Sequence, residues 1–166
     1  MVILGIDPGT ARCGYGIISE NGSSLSLVEC GLIETPPGTS DADRLTAIYN
    51  RLSNLLTQHK PQAIAVEQLF YGNNSRTAMA VGQARGVILL AAALSGLATA
   101  EYTPVQVKQA VSGYGAADKQ QVKAMVITLL NLKELKGHDD ISDALAVAIC
   151  HSFSRRLTGK IERAVQ

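Results

Sequence analysis

Residues 2–10 read VILGIDPGT, and this stretch decides the fold. Val2 to Ile6 is a short, apolar, partly β-branched run that suits a buried strand, and Pro8 and Gly9 end it by removing a backbone donor and permitting a tight turn. Asp7 is left at the mouth of that strand. An aspartate before a proline often does no more than start a turn, its carboxylate bonding to nearby amides. A functional role needs other carboxylates that can meet it.

Working outward, CGYGIIS (13–19) and LSLVECGLIET (25–35) are strand-like, and ENGSS (20–24) between them holds Asn21-Gly22, a strong hairpin signal. The three runs predict an antiparallel meander. Beyond the loop TPPGTSDADR (35–44), Leu45, Ile48, Leu52, Leu55 and Leu56 recur at helical spacing up to a helix end near His59, where KPQ (60–62) breaks the pattern. AIAVEQLF (63–70) reads as a fourth strand, apolar on both faces except at Glu67, as in the centre of a sheet covered by helices on both sides. GNNS (72–75) caps a long helix over about 76–95, and ATAEYTP (98–104) is a fifth strand. PVQVKQAVSG (104–113), DKQQVKAMVITLLN (118–131) and DDISDALAVAICHSFSRRL (139–157) are helical. Alternation after a meander predicts an α/β domain over 1–157, with a mixed five-stranded sheet of three antiparallel and two parallel strands flanked by helices, and a basic tail over 158–166.

The second helix, TAMAVGQARGVILLAAALSG (77–96), is apolar or small on nearly every side and must be buried on more than one face. It is either a central core helix or one whose outer side meets a second subunit.

At 166 residues with 46% hydrophobic composition, the chain can build one core. A net charge of +1 excludes a strong global attraction to nucleic acid or membrane, although after Thr103 nine Lys or Arg stand against six acids, three of them clustered at 139–143. Cys13, Cys30 and Cys150 form no C-x-x-C pair, which speaks against a disulfide framework or zinc site. No signal peptide is visible, and GVILLAAALSGLATA (86–100) is too short to span a bilayer, so a soluble cytoplasmic protein is expected.

An acid in a buried strand is the informative exception, because an unpaired ion in a low-dielectric site is costly. Glu67 lies toward the C-terminal end of its strand, and parallel pairing with residues 2–7 would set Asp7 beside it. In GHDDISDALAVAIC (137–150), Asp140 and Asp143 share a helix face, with Ala144, Ala146 and Ala148 permitting close approach to the sheet. An acidic first turn that complements the helix dipole explains Asp139, and His138 is a cap-region residue. It does not explain the set. Asp7, Glu67 and Asp143 or Asp140 brought within about 4 Å would repel by several kcal/mol per pair at an effective dielectric near 20. Protons or cations must balance them. An all-oxygen donor set favours Mg²⁺ or Mn²⁺, and two such ions ~3.5–4 Å apart suit phosphodiester hydrolysis.

This arrangement resembles the ribonuclease H-like nucleases, and is most similar to the RuvC family of bacterial Holliday-junction resolvases. The carrying segments are GIDPGTARCGYG (5–16), AVEQLF (65–70), GQARGV (82–87), TPVQVKQAVSGYGAADKQQV (103–122) and DDISDALAVAICH (139–151), in the family's order. The resemblance implies a homodimer making paired symmetric nicks across four-way junction DNA in recombination and repair, with Mg²⁺ or Mn²⁺, two ions per site, and the RuvA–RuvB branch-migration complex as a partner. It assigns catalysis and metal binding to Asp7, Glu67, Asp140 and Asp143, Asp140 being fixed by its spacing to Asp143 and Asp139 being an extra acid. It gives Lys108 and Lys119 to DNA phosphates and Phe70 to stacking on opened bases. Tyr71, Arg76 and Lys123, and the tail residues Arg155, Arg156 and Lys160, are weaker candidates for DNA contact.

Three alternatives stand beside it. The D-x-G-T turn at residues 7–10 is similar to the phosphate-binding turn of sugar kinases and Hsp70-like ATPases, but those need two such domains, and no G-x-x-x-x-G-K-[ST] loop is present. A RuvC-like nuclease acting on RNA, and a non-catalytic junction-binding protein, share the fold class.

Overall fold

The computed structural model describes residues 1–68 and 75–165, and side chains except at 75–77 and 159–165. Its elements are β1 (Val2–Asp7), β2 (Arg12–Asn21), β3 (Ser24–Glu34), α1 (Asp41–His59), β4 (Ala63–Glu67), α2 (Ser75–Leu94), β5 (Thr99–Tyr102), α3 (Pro104–Ser112), α4 (Lys119–Leu129) and α5 (Asp139–Val165). The sheet order is β3-β2-β1-β4-β5. β1, β2 and β3 form the antiparallel meander, turned at Gly22 with φ of 58°, while β4 and β5 run parallel to β1. β4 ends at Glu67, short of the expected Phe70. Phe70 and Tyr71 lie outside the described residues, as does the side chain of Arg76.

Helices cover both faces of the sheet, which is why β1 and β4 are apolar throughout. Leu4, Ile6, Ile64 and Val66 pack with Ile48, Leu52 and Leu55 of α1 and with Ala84 and Ile88 of α2. Ile3, Ile18 and Ala65 lie on the opposite face with Val107, Val126, Leu145 and Ile149 of α3, α4 and α5. Each fully buried Leu, Ile or Val among them contributes roughly 1.5–3 kcal/mol. α2 buries Ala84, Ile88, Ala91 and Ala92 but exposes Met79, Leu90 and Leu94, so its sides differ despite their uniform apolarity.

α5 lies unusually close to the sheet, and strand glycines make this possible. A Cβ on Gly5 would stand 2.2 Å from the Ala144 carbonyl oxygen, and one on Gly14 would stand 2.0 Å from that of Asp140. On Gly16 it would meet the Leu145 side chain. Backbone therefore packs on backbone along β1 and β2. At the other end of β2, buried Glu20 accepts from Arg155 Nη2 at 3.0 Å and Arg156 Nε at 2.8 Å. α5 continues helical through residue 165.

Candidate active site

The acids come from three elements that end in one place. β1 and β4 pair in parallel with Ile6 opposite Val66, so the next residues, Asp7 and Glu67, emerge side by side at the sheet's C-terminal edge. α5 begins across that edge, with Gly14 admitting its first turn and Asp140 and Asp143 one turn apart. Asp7, Glu67, Asp140 and Asp143 line a cleft of about 360 Å³, with Lys108, Lys119, Pro104 and Val107 on its other wall. A larger, mostly apolar cavity of about 690 Å³ lies between α3 and α5 and includes none of these acids.

Capping explains how the lysines arrive. Thr103 and Gln106 form a reciprocal capping box at the start of α3, with Pro104 as its first residue, and Lys108 follows one turn later. Asp118 and Gln121 repeat the motif for α4, whose first residue is Lys119. Both cations are thus fixed by helix starts at the cleft.

The electrostatics are those of crowded carboxylates. Asp7 and Glu67 stand close enough that each perturbs the other's titration, and Asp7 is the one pushed furthest toward its protonated form. Burial, then the charges of Glu67, Asp143 and Asp140, push Asp7 up to about 8. Glu67 is raised by burial and by Asp143, an effect that the closeness of Asp7 and the charges of Lys119 and Lys108 oppose. Asp143 is raised by burial against the pull of Lys119, whose Nζ lies 3.2 Å from Asp143 Oδ2. Burial works against the charge on Lys119, but Asp143 outweighs it and holds that ammonium above its ordinary value.

Asp140 has its own counterion, Arg12 Nε at 3.4 Å. Reading the sequence did not single out Arg12, and its sole signal there is a position just past the turn that follows Asp7. Asp139, the extra acid, points away to Lys123 at 3.7 Å and is 56% exposed. Cys13 is buried beside the turn, and burial lifts its thiol to about 12, which disfavours a reactive thiolate.

In this conformation no three carboxylate, histidine or cysteine groups among the described residues converge tightly enough to hold an ion. Lys119 and Arg12 engage Asp143 and Asp140 instead, while burial and like charges favour the protonated form of Asp7. The donor set nonetheless fits a hard divalent cation: it is all carboxylate oxygen, and its charge is balanced only by groups that a cation can replace.

The family model described as crossover junction endodeoxyribonuclease RuvC matches residues 3–151. Crossover junction endodeoxyribonuclease RuvC of Pelotomaculum thermopropionicum is 56% identical over 152 residues, covering 92% of this chain and 93% of that relative. The relative of the same description from Heliobacterium modesticaldum is 56% identical over 154 residues, covering 93% and 95%. A solved structure of Thermus thermophilus RuvC in complex with Holliday junction substrate has a TM-score of 0.90 at 36% identity, covering 95% of this chain and 96% of that one. The same meander, parallel strand pair and helices are therefore shared over nearly the whole length with a ribonuclease H-like nuclease, and the chain belongs to the RuvC family.

Proposed function

We propose that the protein is a metal-dependent endonuclease that resolves Holliday junctions, acting as a homodimer that nicks two strands symmetrically. The observation that carries this reading is the shared cleft of Asp7, Glu67, Asp140 and Asp143, whose mutual repulsion has no structural benefit. Mg²⁺ or Mn²⁺, two ions per site, supplies the positive charge that activates a water and stabilises the leaving oxygen of the phosphodiester. The four carboxylates hold the ions. To do so, Asp7 gives up the proton that burial and its acidic neighbours favour, and Lys119 and Arg12 give up Asp143 and Asp140. Lys108 and Lys119 then hold the DNA backbone on the wall facing the acids, as point charges that position without reading sequence. Phe70 stacks on bases at the opened junction centre, with Tyr71, Arg76 and Lys123 as lesser contacts.

The second subunit docks on α2. Met79, Leu90 and Leu94 are 70%, 54% and 67% exposed, and Gly86, lying between Met79 and Leu90 in the helix, permits close approach of another helix. Residues 1–157 constitute the nuclease domain and 158–166 a basic extension. No described helix is long and apolar enough to cross a membrane, in keeping with work on DNA in the cytoplasm. The RuvA–RuvB complex delivers the junction.

The test is to incubate labelled four-way junction, linear duplex DNA, a matched RNA substrate and, separately, ATP with the protein, in Mg²⁺ and in EDTA. Paired symmetric nicks on the junction alone, and only in Mg²⁺, are expected. Cleavage of RNA, ATP turnover, or junction binding without any cleavage overturns the reading.

A further inference from the structure

Arg12 differs from the other arginines whose side chains are described. Arg44 commits Nε, Nη1 and Nη2 to the carbonyls of Thr39, Thr35 and Pro36. Arg51, Arg85, Arg155 and Arg156 each donate a hydrogen bond to a protein acceptor. Arg12 touches Asp140 only through Nε, at 3.4 Å, without a hydrogen bond to any described residue, and its side chain is 49% exposed. Glu34, its cross-strand neighbour, makes no ion pair with it among the described residues.

A guanidinium built for structure would use its fork; this one commits neither terminal nitrogen to a described residue. A half-exposed, non-hydrogen-bonded ion pair is weak and readily exchanged. Arg12 does not itself line the cleft but pairs with Asp140, which does, and the cleft also carries Lys108 and Lys119. A cation taken up at Asp140 would cancel the charge that holds Arg12 and repel the guanidinium. The anion then nearest in kind is the phosphodiester backbone, whose paired oxygens match the guanidinium fork.

We propose that Arg12 is an exchangeable counterion: it neutralises Asp140 until a divalent cation binds there, and then passes to a phosphate oxygen of the DNA. This rests on the reading of Asp140 as a metal ligand in a DNA-cleaving site. Arg12 is a positioning residue under this proposal. Because binding linkage is reciprocal, it weakens cation binding by the free protein and strengthens junction binding by the cation-loaded protein.

The test uses full-length protein without reference to turnover. Mn²⁺ affinity of DNA-free wild type, Arg12→Ala and Arg12→Lys is measured from the electron paramagnetic resonance signal of free Mn²⁺. Junction affinity is measured by fluorescence anisotropy in EDTA and in Ca²⁺, at several salt concentrations. Arg12→Ala is expected to bind Mn²⁺ about three- to tenfold more tightly than wild type. It should bind the junction equally in EDTA, but about three- to tenfold more weakly in Ca²⁺, with the salt slope reduced by about one. Arg12→Lys, which keeps the charge and loses the fork, should match wild type for Mn²⁺ and recover only part of the junction affinity. Unchanged or weakened Mn²⁺ binding by Arg12→Ala, or unchanged junction affinity in Ca²⁺, overturns the role of Arg12 alone. Wild type that binds no Mn²⁺ overturns the reading of the acids as well.

Discussion

Asp7 and Glu67 follow the paired residues Ile6 and Val66 at the ends of two adjacent parallel strands, so two acids stand side by side in the cleft and burial raises both. Asp7→Asn keeps a donor for Glu67 while removing one ligand oxygen and one charge. Nicking should fall at least about a thousandfold, whereas junction affinity should stay within about twofold, because Asp7 is not a phosphate contact. Unfolding in urea should show stability unchanged or raised by about 1 kcal/mol. Cleavage at the wild-type rate would remove Asp7 from the metal site.

The crowded acids make stability pH-dependent in the direction opposite to ordinary acid denaturation. Burial and like charges raise Asp7 from 3.8 to about 8, and Glu67 and Asp143 are raised too. Across that window the folded protein binds more protons than the unfolded chain, so stability falls as pH rises, with a slope of up to about 1.4 kcal/mol per pH unit for each proton. Urea unfolding in EDTA between pH 5 and pH 8 should show this decline in wild type and a shallower one in Asp7→Asn. Saturating Mg²⁺ should flatten the wild-type curve as the ion takes the proton's place. A wild-type curve in EDTA that rises over this range would contradict the crowding.

Gly14 tests whether the α5 contact sets the site. A methyl group there would stand 2.0 Å from the Asp140 carbonyl oxygen, and backbone cannot step aside as a flexible side chain can. Gly14→Ala should destabilise the protein by about 3 kcal/mol and weaken Mn²⁺ binding at least about tenfold in the fraction that folds. Gly22→Ala has no neighbour within 4 Å but a φ of 58°, so it shows the cost of backbone strain alone, against which the added cost of the Gly14 clash and its effect on Mn²⁺ are read. Normal Mn²⁺ affinity in folded Gly14→Ala would show that α5 can retreat without disturbing the acids.

Leu90 tests the proposed docking of a second subunit on α2. It is 54% exposed near the middle of α2, with Leu94 one turn further on. Leu90→Glu should give a monomer by light scattering at concentrations where wild type is dimeric, with unchanged thermal stability of the monomer fold. Paired nicking should be lost before single-strand nicking. A dimer of undiminished affinity would move the interface off this face.

Much of this was legible in the sequence because it depends on local rules. Asp7 and Glu67 are neighbours since two strands of one sheet end there, and the parallel pairing followed from the alternation after the meander. The lysines of α3 and α4 were placed by helix starts whose capping residues are visible. What stayed hidden is tertiary. Gly5, Gly14 and Gly16 read as weak strand residues, and only the path of α5 reveals them as the floor on which Asp140 and Leu145 rest. Ala144 and Ala148 were expected to allow that approach, and Gly5 is where they do so. Arg12 could not be paired with Asp140 from spacing, because 128 residues of chain separate them. Nor could α2 be given an inside and an outside when every side is apolar.

The Glu20 clamp acquires a second meaning from its distance to the acids. From Asp140 to Arg155 the helix rises about 22 Å, and β2 lies against it from Gly14 at one end to Glu20 at the other. α5 is in effect a shaft seated in two bearings, one of bare backbone and one of paired charges. Rotation about its axis, the motion that would swing Asp143 out of the cleft most cheaply, is resisted at both. The carboxylates are thus aimed in part by an ion cluster at the far end of the molecule.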